Sequence, residues 1–185
     1  DPILNSERPP SVLSVIFDAL KHRIQAVQDY ALLSLRAVTN IFTSPRYGAD
    51  TFEQMDLIGV GSLPIVLLTG FFIGAVLVLQ TSSQFSRFGS TSLTGDVVAI
   101  ALVRELGPTI TGLLVAGRNA SGIASELGSM LVTEQVDAMR AMGTDPTRKL
   151  VTPRVVATTL MLPLLTALAD LVGLDTLMFI ANGIY

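Results

Sequence analysis

The sequence contains no cysteine and a single histidine, His22, among its 185 residues. The lack of cysteine excludes disulfides and thiol nucleophiles, and one histidine is too few for the usual zinc-ligand clusters. Charge is also scarce, because only 15% of the residues are charged, compared with roughly 25% in ordinary soluble domains. The net charge of −3 offers no basic field for nucleic acid, so we expect no nucleic-acid partner.

The sequence also lacks the Walker A pattern GxxxxGK[ST], so any nucleotide hydrolysis is expected to come from another protein. Neither a His/Asp/Glu metal set nor a paired-carboxylate site is visible, which argues against an intramembrane enzyme. We therefore predict that the chain is not an enzyme and holds no cofactor of its own.

Half of the residues are hydrophobic, and they are concentrated in long blocks. No charged residue occurs from Leu57 to Ser86, a stretch longer than the roughly 20 apolar residues that a helix needs to cross a bilayer. We therefore predict an all-α integral membrane protein with three visible transmembrane helices, at about residues 57–80, 97–125 and 155–180. The Ser-, Thr- and Gly-rich stretch between the first two spans, from Gln84 to Asp96, is predicted to be an exposed turn.

Apolar residues from Val12 to Phe42 recur every three or four positions, which predicts one long amphipathic helix. Its charged residues are too frequent for a membrane span. The helix could lie on a soluble core, but the apolar spans that follow favour a position in the membrane interface. We accordingly divide the chain into residues 1–50, with the lead-in and this helix, and a transmembrane domain of residues 51–185.

Lysine and arginine are concentrated before the first span and between the second and third spans, whereas the loop after the first span contains only Arg87. Basic residues are retained on the cytoplasmic side of a membrane. We therefore expect both the N-terminal helix and the loop of residues 126–154 to face the cytoplasm.

Within this loop, Val132, Val136 and Met139 recur at helical spacing with charged residues between them, which predicts a short helix at about residues 132–142. Gly143 and the Asp145-Pro146 pair provide a stop signal. An apolar ridge with a charged rim suits a groove on a partner protein. The alternative interpretation is a helix that packs against its own bundle.

A charged pair, Arg104-Glu105, interrupts the second span and is followed directly by Gly107-Pro108, which would weaken the helix. At membrane depth such charges usually face a cavity or a partner and have a function. The alternative is that the pair lies at the periplasmic end of the span, where water would solvate it.

Gly70 and Gly74 in the first span form a small-xxx-small pair, the spacing that lets two membrane helices approach closely. We predict a helix-packing role for both glycines.

The segment ELGSMLVTEQVDAMRAMGTDP at residues 126–146, followed by RKLVTPRVVA, resembles the signature of the MlaE (YrbE) permeases. The upstream segment VRELGPTITGLLVAGRNASGIA is similar to the same family, and the resemblance extends from about Ile58 to Gly173. Members of this family are the membrane subunits of ABC transporters that work with MCE-domain proteins. They have an N-terminal interfacial helix and five spans, whereas three spans are visible here.

The resemblance implies a permease that moves phospholipid or another hydrophobic lipid between the bacterial inner membrane and a periplasmic MCE protein, and so helps to maintain the lipid asymmetry of the outer membrane. It implies a homodimer, a cytoplasmic ATPase that carries the ATP and Mg²⁺ and, in some members, a small STAS-domain partner. A rival hypothesis is a membrane scaffold that anchors a cytoplasmic partner without transporting a substrate.

The resemblance also assigns roles to residues. It implies that Arg104, Glu105 and Pro108 lie on the lipid pathway. It further implies that the predicted loop helix is a coupling helix that docks on the ATPase, through Val132, Thr133, Glu134, Gln135, Val136, Asp137 and Met139.

Overall fold

The computed structural model describes residues 12–42, 47–87 and 94–184, and every regular element in these ranges is helical. The α-helices are α1 (Val12–Phe42), α2 (Gly48–Arg87), α3 (Thr94–Ala101), α4 (Gly107–Val132), α5 (Gln135–Ala141) and α6 (Thr152–Ile184). Two short π-helical segments precede α4 and α6: the first is Leu102–Leu106 and the second is Thr147–Val151. The all-α prediction is confirmed.

The chain divides into two units, and α1 belongs to the first, which ends at Ser44. The amphipathic pattern predicted this helix, and the structure confirms it as one continuous element. Large apolar side chains along it, including Leu20, Ile24 and Val27, are exposed.

The second unit, Pro45–Tyr185, contains three helical stretches that are long and apolar enough to cross a membrane: Gly48–Arg87, Gly95–Val132 and Thr147–Gly183. Each includes one of the three predicted spans, so the predicted number of spans is confirmed. The 40 residues of α2 extend about 60 Å, about twice the thickness of a hydrocarbon core, so this helix continues outside the apolar layer.

The prediction of a turn from Gln84 to Asp96 is wrong at both ends, because α2 remains helical to Arg87 and α3 begins at Thr94. The polar side chains at the end of α2 are compatible with a helix because they bond to its own carbonyls. The hydroxyl of Ser83 donates to the carbonyl oxygen of Gln80 at 2.8 Å. The middle of the predicted turn, residues 88–93, lies outside the described residues.

The helices α2 and α6 form the most extensive helix–helix contact and run in the same direction. Gly59, early in α2, lies against Met161, and Gly74, later in α2, lies against Gly173. Both helices therefore cross the apolar layer with the same polarity.

The helix α4 packs on α2 and α6 through Val115, which forms a buried cluster with Val66 and Leu165. It runs opposite to its neighbours, since Glu126 near its end contacts Arg154 near the start of α6. The alternating directions bring the start of α2, the end of α4 and the start of α6 to one end of the bundle, here called the loop end. A second buried cluster joins α2, α3 and α6 near the other end.

Candidate functional site

The loop between α4 and α6 contains α5, a helix of seven residues preceded by a turn. Glu134, the last residue of that turn, has φ 57°, in the left-handed region that residues other than glycine rarely adopt. The predicted helix of residues 132–142 is therefore divided: Val132 ends α4, and α5 begins only at Gln135. The left-handed residue causes the division, because it interrupts the regular helical hydrogen bonds.

Local hydrogen bonds hold this turn between α4 and α5. The backbone N–H and the hydroxyl of Thr133 both donate to the carbonyl oxygen of Ser129, at 3.0 and 2.9 Å. The N–H of Glu134 donates to the carbonyl of Leu131 at 3.2 Å, and the N–H of Ala138 donates to the carbonyl of Glu134 at 3.0 Å. The direction of α5 relative to α4 is thus determined by the chain's own backbone.

The other end of α5 is closed by a glycine in the left-handed region, Gly143, with φ 77°. Its N–H donates to the carbonyl of Arg140, and the N–H of Thr144 donates to the carbonyl of Met139, both at 3.0 Å. This pair of bonds is the Schellman arrangement that ends many helices. The predicted stop at Gly143 is confirmed.

The predicted stop at Asp145-Pro146 also starts the next helical stretch. The side chain of Asp145 accepts a hydrogen bond from the N–H of Thr147 at 2.9 Å, as an N-cap does. Its backbone carbonyl accepts from the N–H of Lys149 at 3.2 Å. Pro146 stands where its missing N–H costs nothing. Both ends of α5 are therefore connected to the spans by short segments that contain local hydrogen bonds.

The surface around α5 is apolar and open. Val132 and Met142, on either side of the helix, are 84% and 74% exposed. Val136 and Met139 are half-buried, and no residue of α5 is buried. This exposure favours the interpretation that the helix meets a partner over the alternative that it packs into its own bundle.

Charged and polar side chains surround this apolar surface. Asp137 and Arg140 form an exposed ion pair on α5, with 3.0 Å between Oδ1 and Nη1. Gln135 and Glu134 are exposed beside them. The arrangement offers a partner an apolar centre and a polar rim.

An ion pair that sequence reasoning did not find joins the two spans below the loop. Arg154 Nη2 of α6 lies 2.6 Å from Glu126 Oε2 of α4. The residue Arg154 is only 5% exposed, and its Nη1 also donates to the carbonyl of Leu150 at 3.3 Å. The sequence shows one acidic and one basic residue at opposite ends of the loop, but it does not show that the two side chains form an ion pair.

A second polar link lies two turns further into the bundle. Arg118 of α4 donates from Nη1 to the hydroxyl of Ser62 of α2 at 2.7 Å, and Ser62 is fully buried. Between the two links lies a cleft of about 120 Å³ whose lining includes Gln54 and Asn119. The helix α4 is thus attached by polar contacts to both neighbouring spans near the loop end.

The charged pair of the second span, Arg104 and Glu105, lies in the first π-helical segment, which the N–H of Gly107 closes by donating to the carbonyl of Leu102. The cause is Pro108, which has no N–H to donate and whose ring would collide with the carbonyl four residues earlier in an α-helix. The extra residue of a π-turn avoids this collision. Arg104, Glu105 and Pro108 are all exposed.

The contacts between helices show at which level of the bundle the first π-helical segment lies. A Cβ built on Gly107 would overlap the carboxylate of Asp170, and the neighbouring Ala169 lies against Gly70. Gly70 is about 20 Å along α2 from Leu57, where the charge-free run begins, and a hydrocarbon core is about 30 Å thick. The charged pair lies one turn from this level, which favours the interpretation of a pair at membrane depth.

Asp170, to which sequence reasoning gave no role, lies at the same level. Its Oδ1 is buried and has no hydrogen-bond partner among the described residues. A Cβ at position 107 would require this carboxylate to move, so Gly107 leaves the space that the Asp170 side chain occupies. Three ionisable side chains, Arg104, Glu105 and Asp170, therefore lie within about one helical turn of the same level of the bundle.

Gly70 and Gly74 lie in the contact between α2 and α6. A Cβ on Gly70 would overlap the backbone of Ala169, and one on Gly74 would overlap the backbone of Gly173. The structure thus places both glycines where two helix backbones approach most closely.

A family model and two bacterial relatives that match this chain are described as permeases. A family model described as Permease MlaE matches residues 51–185. A probable ABC transporter permease protein from Rickettsia felis is 46% identical over 149 residues, which cover 80% of this chain and 58% of the relative. The chain therefore spans a little more than half of that relative's length.

Two further relatives carry more specific names. The intermembrane phospholipid transport system permease protein MlaE from Haemophilus influenzae is 42% identical over 122 residues, 66% of this chain and 47% of the relative. The chloroplastic protein TRIGALACTOSYLDIACYLGLYCEROL 1 from Arabidopsis thaliana is 38% identical over 154 residues, 83% of this chain and 44% of the relative.

Proposed function

This chain belongs to the MlaE permease family, and from that premise we propose that it is the permease subunit of an ABC transporter that moves phospholipid or another hydrophobic lipid. The transporter would work between a bacterial inner membrane and a periplasmic MCE protein, and would help to maintain the lipid asymmetry of the outer membrane. The name of the Haemophilus influenzae relative supports phospholipid as the cargo. The proposed assembly has two copies of the permease, a cytoplasmic ATPase that carries ATP and Mg²⁺ and, in some members of the family, a STAS-domain protein.

The observation that carries this proposal is the exposed helix α5, held at both ends between two membrane-spanning helices. We assign the loop end to the cytoplasm, where the ATPase would bind Val132, Val136 and Met139 through its own apolar groove. The charged rim, which includes Glu134 and Asp137, would orient that contact.

The coupling step would be mechanical. Closure of the ATPase dimer on ATP would push on α5, and the hydrogen-bonded turn at Glu134 would transfer the push to α4. Packed helices respond to such a load by shifting between discrete arrangements rather than by bending continuously. The shift would change how lipid reaches the charged pair Arg104-Glu105, which we place at membrane depth.

Arg104 and Glu105 would contact the lipid headgroup at that site. A charge at the centre of a membrane helix costs roughly 2.5 to 3.5 kcal/mol on insertion scales, so an exposed pair at this depth needs a polar partner. A zwitterionic or anionic headgroup offers such a partner in a cavity between two permease copies.

The proposal is tested with the full-length permease, reconstituted in vesicles with its candidate ATPase and MCE partners. We expect a fluorescent phospholipid to move only when ATP and Mg²⁺ are present, and not with an ATPase whose Walker A lysine has been replaced. An ATPase that binds the permease while no lipid moves would indicate a scaffold instead.

The exposed apolar side chains of α5 and the charged residues around them, here called the docking surface, can be tested separately. The double variant Glu134→Ala/Asp137→Ala should reach the membrane at the wild-type level but retain much less ATPase in a pull-down. Asp96→Asn, a single exposed carboxylate at the far end of the second span, serves as the control. Wild-type retention of the ATPase by the double variant would argue against α5 as the docking helix.

A further inference from the structure

We infer that the Glu126–Arg154 ion pair ties the ends of α4 and α6 together, so that a load on α5 moves both spans as one body. The inference rests on the proposed function, because it gives the loop a load to transmit. It concerns a different set of residues, since neither Glu126 nor Arg154 belongs to the docking surface.

The ion pair differs in kind from the exposed pairs of the loop. Asp137–Arg140 and Asp145–Arg148 each join residues three positions apart, so they connect no separate elements. Glu126 and Arg154 instead join two spans at 2.6 Å, and their side chains are 40% and 6% exposed, compared with 67% for both side chains of Asp137–Arg140. A short contact to a buried guanidinium is more persistent than an exposed pair, which solvent and salt weaken.

The position of the pair gives it a mechanical consequence. The chain leaves α4 at Val132, passes through α5 and enters α6 at Thr152. Glu126 lies six residues before the end of α4 and Arg154 two residues after the start of α6, so the pair joins the two spans just inside the loop. Without the ion pair, a push on α5 would move α4 through the turn at Glu134, but α6 would not have to move with it. With the tie, the two spans that carry α5 keep their separation.

The Arg118–Ser62 bond extends the same connection to the first span. It lies two turns deeper on α4 and fastens this helix to α2. Polar contacts thus join α4 to α6 near the loop end and α4 to α2 two turns deeper in the bundle. Glu126 and Arg154 are positioning residues in this scheme, since they act through α5 and touch no substrate.

The test uses the full-length permease with its ATPase in vesicles and compares Glu126→Gln with the wild type. We expect Glu126→Gln to bind the ATPase within about twofold of the wild-type affinity and to hydrolyse ATP, but to move about tenfold less lipid per ATP. The exchange Glu126→Arg/Arg154→Glu should recover most of the lost transport. Glu53→Gln, an exposed carboxylate at the same end of the bundle, is the matched control and should behave as the wild type.

A distance measurement keeps the inference open to refutation even where a variant inserts poorly. Ser129 and Val155, both exposed, can be replaced by cysteine and spin-labelled in a full-length permease from which any other cysteine has been removed. The tie predicts that the distance between the two labels stays the same with and without a non-hydrolysable ATP analogue. A change of about 5 Å, the size of a one-turn shift, would overturn it.

The outcomes separate this inference from the proposed function. A wild-type complex that moves lipid while Glu126→Gln moves as much lipid per ATP would overturn the tie and leave the proposed function standing. A wild-type complex that binds the ATPase but moves no lipid would overturn the proposed function, whereas a label distance that changes by about 5 Å with the ATP analogue would overturn the tie.

Discussion

Replacing Gly70 by alanine should force α2 and α6 apart. A Cβ at this position would lie 2.5 Å from the carbonyl oxygen of Ala169, whereas ordinary van der Waals contact begins at 3.4 Å. The obstacle is backbone, so no side chain can rotate to make room. The two helices must therefore separate by about 1 Å in an interface packed as densely as a protein core.

Two opposing contributions determine how much Gly70→Ala changes the stability of the protein. Overpacking of this kind costs about 1 to 3 kcal/mol, whereas alanine gains up to about 1 kcal/mol over glycine in helix propensity. Gly117→Ala in α4 provides a control, because a Cβ there has nothing within 4 Å and the variant keeps only the propensity gain. We expect Gly70→Ala to be less stable than Gly117→Ala by about 1 to 3 kcal/mol.

The measurement is unfolding of the purified protein in mixed micelles, with increasing fractions of a denaturing detergent and helicity followed by circular dichroism. Gly74→Ala should behave like Gly70→Ala, because it meets the backbone of Gly173 in the same interface. Equal unfolding midpoints for Gly70→Ala and Gly117→Ala would refute the argument that these backbones are in direct contact.

Three further predictions concern the loop and the charged pair. Glu134→Val should have a less stable α4–α5 turn than Glu134→Gly, by about 1 to 2 kcal/mol, because valine is strained at the positive φ of this position and glycine is not; equal hydrogen exchange at the Ala138 N–H in the two variants would contradict this. Gly143→Ala should speed exchange at the Thr144 N–H about fivefold, since alanine pays roughly 1 kcal/mol at a positive φ; unchanged exchange would exclude strain at this cap. Glu105→Ala should insert normally and lower ATP-dependent phospholipid transfer about tenfold; unchanged transfer in vesicles would remove the pair from the lipid pathway.

The spans and the fold class could be predicted from the sequence because the bilayer imposes a simple requirement on it. Backbone polar groups in lipid must bond within their own helix, so a long charge-free run such as Leu57–Ser86 has few other structures available. The amphipathic helix α1 was predictable for a related reason, since its stripe repeats over its whole length. The ends of α2 were not, because the hydroxyls of Ser83 and Ser86 bond locally in a helix as well as they would in a turn.

Features that depend on contacts between distant residues could not be predicted. Glu126 and Arg154 are both visible in the sequence, but only the packing of α4 against α6 brings them together. The left-handed conformation of Glu134 likewise has no local signal, because glutamate has no preference for a positive φ. The Gly143 stop had such a signal and was predicted correctly.

The small residues also determine where the charged pair lies, which the sequence left open. Gly70 against Ala169 sets the level of α6 relative to α2, and Asp170, the next residue of α6, sets the level of α4 through its contact with Gly107. Arg104 and Glu105 follow from that register, one turn away. The level of the pair along the bundle therefore depends on these close contacts, and a larger residue at Gly70 should disturb lipid transport as well as stability.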